Sequence, residues 1–79
     1  MTWGPFRPGR DPGAIRADCR CLALAAKILA GPRSAALRHK LFAVMTDPSL
    51  ETILAAEREF DRLGAVDRRR ILASYLDVA

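Results

Sequence analysis

The chain has a single histidine and two cysteines among its 79 residues, and that scarcity removes most kinds of chemistry before any fold is considered. Cys19 and Cys21 stand too close together to bridge, and they offer no loop to close. On a helix they point about 200° apart, so their sulfurs cannot share one ion. A zinc site would also want about four ligands, and His39 is the only other soft donor to offer. Both cysteines read as small buried hydrophobes. His39 lies between Arg38 and Lys40, with no acid in its turn to orient it as a base. The carboxylates of Glu57, Glu59 and Asp61 alternate with Arg58 and Arg62, the pattern of a solvated helix face. No glycine-rich phosphate loop and no nucleophile motif is present. The expectation is a protein that is not an enzyme and holds neither metal nor cofactor.

Long apolar runs are missing as well. The longest, Cys21 to Ala30, is interrupted by Lys27 and is half of the roughly 20 residues that span a bilayer. The Met-Thr-Trp-Gly-Pro start has no apolar stretch of the signal-peptide kind. A soluble cytoplasmic protein with no membrane association is expected. No segment alternates with period two, and β-branched residues are few, so strands are not expected either.

What the chain does have is a one-sided charge. Up to Met45 there are eight Lys/Arg against two acids; from Thr46 onward there are five against seven, for the total of +4. Eleven of the thirteen basic residues are arginine, and alanine is the commonest residue at fourteen. Arg and Ala codons are GC-rich, so a GC-rich genome alone would produce this composition. The competing explanation is a ligand. A domain this short buries only about 60% of its unfolded surface, which makes a homo-oligomer a live option.

Residues 1–10 hold Pro5, Pro8, two glycines, Trp3, Phe6, Arg7 and Arg10, and read as an extended arm rather than a helix. Residues 11–79 read as one helical domain. Asp11 with Pro12 opens a first helix that Gly31-Pro32 ends. Its apolar residues form two stripes, Ile15, Cys19, Leu22, Ala26 and Leu29, then Ala17, Cys21, Leu24 and Ile28. Arg16, Arg20 and Lys27 share the narrow polar wedge. So wide an apolar arc marks a central helix covered by several others. Asp18 falls inside the arc and, if buried, wants Arg38 or another arginine as its partner.

Ser34 should cap a second helix with Leu37, Leu41, Val44 and Met45 inward. Thr46 or Asp47 should cap a third, with Pro48 at its first position and Glu51 in its first turn, Leu50, Ile53, Ala56, Phe60 and Leu63 inward, and Gly64 at its end. Asp67 should cap a fourth, with Ile71, Leu72, Tyr75 and Leu76 inward. The expected architecture is all-α, a small bundle of four short helices behind a Pro/Gly-rich arm.

With no visible chemistry, the chain reads as a small binding protein, a regulator or inhibitor that docks an acidic protein surface. Size and composition also fit accessory proteins of phages and mobile elements, including inhibitors of the anti-CRISPR class. The candidate contact residues are Trp3, Phe6, Arg7 and Arg10 in the arm, Arg16, Arg20 and Lys27 on the wedge, and Arg68, Arg69 and Arg70. A second reading is a nucleic-acid binder in which Gly64 to Asp67 serves as a helix-turn-helix turn and the arginine triplet enters the groove. Phe60 counts against it, because that motif wants a small residue there. A third reading is a structural subunit of a helical oligomer.

Overall fold

The computed structural model describes residues 9–78, with side chains through residue 75. Every regular element among them is helical: α1 (Pro12–Ala30), a 3-10 turn (Gly31–Ser34), α2 (Ala35–Thr46), α3 (Leu50–Asp61) and α4 (Ala65–Val78). The expectation of four helices set apart by turns needs one correction. No residue leaves helical assignment between Pro12 and Thr46, so the described chain has three uninterrupted helical stretches. The first of them is bent at Gly31, whose φ of 52° favours glycine. Trp3, Phe6 and Arg7 lie outside the described residues.

Asp11 opens α1 as expected, its carboxylate accepting the Ala14 N–H at 3.2 Å, with Pro12 in the first turn. Ser34 precedes α2 but makes no capping bond. Its hydroxyl is turned back to the carbonyls of Gly31 (2.8 Å) and Ala26 (3.1 Å), because the tight bend brings the end of α1 within its reach.

The start of α3 is also corrected. Ser49, not Thr46 or Asp47, is its cap, and Pro48 precedes the helix. Ser49 Oγ accepts the Thr52 N–H at 3.3 Å while Thr52 Oγ1 accepts the Ser49 N–H at 3.1 Å. This reciprocal pair satisfies two otherwise orphaned donors, whereas Thr46 and Asp47 are occupied in finishing α2. Leu50, expected inward, is left exposed at the first helical position. α4 begins about a turn earlier than expected, with Arg68 N–H donating to the Gly64 carbonyl at 3.0 Å. Asp67 therefore sits inside its first turn rather than before it.

The core takes Ile15, Cys19, Leu22 and Ala26 from α1, and Leu37, Leu41 and Val44 from α2. α3 adds Ile53, Ala56 and Phe60, and α4 adds Ile71 and Tyr75. α2 and α4 pack on α1, and α3 packs on α2. That arrangement decides the fate of α1's wide apolar arc. Its first stripe is buried except for half-buried Leu29. In the second, Ala17, Leu24 and Ile28 are exposed and Cys21 is half-buried. Because α3 folds back onto α2, nothing among the described residues covers that second stripe.

Candidate functional site

Several of the arginines expected at a contact are committed to the fold. Arg10 pairs with Asp18, and the Tyr75 hydroxyl shares in the same hydrogen bonding. Burial, then the neighbouring Asp18 charge, pushes the Tyr75 hydroxyl above its ordinary range, and the bond to Asp18 does the same for Arg10. Arg38 is not Asp18's partner. Its Nε donates to Ser34 Oγ at 3.0 Å, which holds its guanidinium at the bend between α1 and α2.

Arg16 Nε donates to the Met45 carbonyl at 3.0 Å, near the C-terminus of α2. Arg68 Nη1 donates to the carbonyls of Asp61 (2.8 Å) and Leu63 (3.0 Å), where α3 ends. A guanidinium at a helix C-terminus meets unpaired carbonyls and the negative end of the dipole. This resolves an awkward feature of the arginine triplet: Arg68 is poorly placed for its own helix but well placed for the preceding one. Arg33 pairs with Asp67 at 2.9 Å across the fold. That bond draws the Asp67 carboxyl below its usual range and raises Arg33. Arg69 and Arg70 are exposed.

Arg20 and Lys27 stand apart from these. With Leu24, Arg38, Phe42 and Met45 they line an open hollow of about 460 Å³ between α1 and α2. Phe42 is 58% exposed and Leu24 57%, so the rim is basic and the floor apolar. A second hollow of about 210 Å³ lies on the other side of Leu24, between α1 and α4, and includes Cys21, Ile28 and Tyr75 in its lining. Ile28 is 76% exposed. The two hollows share the Leu24 ridge, and basic side chains flank only the one on the α2 side.

Arg20 and Lys27, expected on the polar wedge, are exposed, and the structure adds exposed Leu24 and Phe42 beside them, which the sequence did not single out as contact residues. The available signal was Phe42, an aromatic outside the inward stripe of Leu37, Leu41 and Val44. Cys19 is fully buried, and burial pushes its thiol up to about 12, which suits a packing role and not a nucleophile. Among the described residues no group of three or more His, Cys, Asp or Glu is placed to hold a metal ion. No helix among them is long and apolar enough to cross a membrane.

Comparison with protein-family models, with curated proteins and with solved structures finds no match.

Proposed function

We propose that this is a non-enzymatic binding protein, a regulator or inhibitor, whose α1–α2 hollow docks an acidic, partly apolar surface of another protein. The observation that carries the reading is the exposure of Leu24 and Phe42 beside Arg20, Lys27 and Arg38. Contiguous exposed apolar side chains with a charged rim mark interaction sites, and aromatics and arginines dominate interface energetics. The apolar floor favours a protein over a phosphate backbone, which offers charge but little to cover Phe42. The helix-turn-helix reading is less well supported, because α3 and α4 pack on different helices and Phe60 is part of the core.

The test is recovery of partners from lysate of the source cells, with and without nuclease treatment, by the parent and by Phe42→Asp. A partner held by the parent and reduced at least tenfold by Phe42→Asp is the expected result. Binding that disappears with nuclease, or that ignores Phe42→Asp, overturns the proposal.

A further inference from the structure

We infer that the occupant of this face is an amphipathic α-helix of the partner with acidic residues along one flank, lying lengthwise on α1 across the Leu24 ridge. The inference rests on the docking reading above and adds the shape and chemistry of what docks. Three observations carry it: the spacing of the exposed stripe, the hollows on both sides of it, and the sign of the charges beside it.

Ala17, Cys21, Leu24 and Ile28 are spaced four, three and four apart. That is the repeat by which one helix presents a seam to another, each apolar side chain entering a hole in the facing helix. From Cys21 to Ile28 the seam covers about 10 Å, or two turns. A single extended strand would not match this spacing, because its side chains alternate with a period of two. The two hollows flanking Leu24 are where a facing helix would set its own apolar side chains. α2 and α4 already pack on α1, so the added helix would complete the coverage that α1's apolar arc calls for.

The charges select the occupant. Arg20 and Lys27 follow the same edge of the seam, on the α2 side, and Arg38 faces them across the hollow. A second copy docking through its own α1 brings another Arg20 and Lys27 to the seam and no acid, since Asp18 is already bonded to Arg10. α3 of a second copy fits less well. Its exposed leucines, Leu50 and Leu54, cover a single turn and are followed by exposed Arg58 and Arg62. A partner helix with Asp or Glu on the flank facing Arg20 and Lys27 meets both demands.

The test uses the full chain and three labelled synthetic peptides of about 18 residues, read by fluorescence anisotropy. The first has leucines spaced three and four apart with glutamates on one flank. The second is identical except for two central prolines that forbid a helix, and the third replaces the glutamates by lysines. The first should bind at least tenfold more tightly than either of the others and gain helical circular dichroism on binding. Leu24→Glu and Lys27→Glu, both at exposed positions, should each weaken it at least tenfold. Lys27→Glu should also narrow the gap to the lysine peptide.

Equal binding of the helical and proline-broken peptides would overturn the helix while leaving the docking reading in place. No binding of the first peptide, alongside partner recovery that still depends on Phe42, would do the same. No peptide binding and no dependence on Phe42 would remove both. Sedimentation showing a parent dimer that Leu24→Glu dissociates would assign the face to a second copy and overturn the inference.

Discussion

Replacing Ser34 by Ala and by Gly separates two roles for this residue by the order of their costs. Ser34 is fully buried at the bend between α1 and α2. Its single hydroxyl proton is shared between the Gly31 carbonyl at 2.8 Å and the Ala26 carbonyl at 3.1 Å, and its oxygen accepts Arg38 Nε at 3.0 Å. In Ser34→Ala the Gly31 carbonyl loses the hydroxyl and keeps the longer side-chain bond from Arg38 Nη2, at 3.4 Å. One buried neutral bond and one charge-assisted bond are lost, and half-buried Arg38 recovers part of the second from water. The net cost is about 2 kcal/mol. Ser34→Gly loses the same bonds and adds the chain entropy of glycine, about 0.5–1 kcal/mol more.

A helix cap would behave in the opposite way, since Gly in place of a capping Ser costs only about a few tenths of a kcal/mol whereas Ala costs about 1. Urea unfolding followed at 222 nm gives both values by linear extrapolation. For a domain of this size Ser34→Ala should lower Tm by roughly 10 °C. The reasoning fails if Ser34→Gly proves more stable than Ser34→Ala, or if Ser34→Ala lies within about 0.5 kcal/mol of the parent, the range of a neutral surface change.

Cys21 should react with a thiol reagent in the folded protein, whereas Cys19 should react only on unfolding, as mass spectrometry of labelled peptides will show. With the Cys19 thiol raised from 9.0 to about 12, the folded state holds that proton more tightly than the unfolded chain does. Stability is therefore full below about pH 9 and falls towards pH 12, by up to about 1.4 kcal/mol per pH unit. Tyr75 is raised too and contributes in the same window, so the readout is the shallower slope of Cys19→Ala against the parent. The arginine triplet should split: Arg68→Ser costs about 1 kcal/mol by releasing the end of α3, whereas Arg69→Ser and Arg70→Ser stay within about 0.5 kcal/mol of the parent.

The sequence announced local features well and longer-range ones poorly, for a physical reason. Asp11-Pro12 and the glycine at 31 act through the backbone within a turn, so α1 could be bounded from neighbouring residues alone. Ser34 and Thr46-Asp47-Pro48 carried signals of the same kind, but each residue had more than one available partner. Ser34 found carbonyls across the bend, and Ser49 with Thr52 formed a reciprocal pair that Asp47-Pro48 could not match. The second stripe of α1 shows the wider limit. Its periodicity marked an apolar helix face, but whether another helix of this chain covers that face depends on where α3 packs, and α3 packs on α2. The α1–α2 hollow was invisible for the same reason, since Phe42 and Leu24 come to line one hollow only after the bend at Gly31 brings their helices together.

The placement of the arginines also settles how much weight the charge asymmetry can bear. A GC-rich genome would supply arginine and alanine in excess, and the fold puts much of that arginine to structural use. Arg16 and Arg68 close helix ends, Arg38 holds the bend, and Arg10 and Arg33 pair with Asp18 and Asp67. Net charge is therefore a weak argument for a ligand, because five of the eleven arginines already serve the fold in this way. Codon bias gives no account of Leu24, Ile28 and Phe42 being 57%, 76% and 58% exposed, since it acts on composition and not on which residues the fold leaves open. Nor does it place Arg20 and Lys27, rather than an acid, along the edge of that seam. The case for a partner passes from the number of positive charges to the position of two of them, beside apolar side chains that the fold leaves open to water.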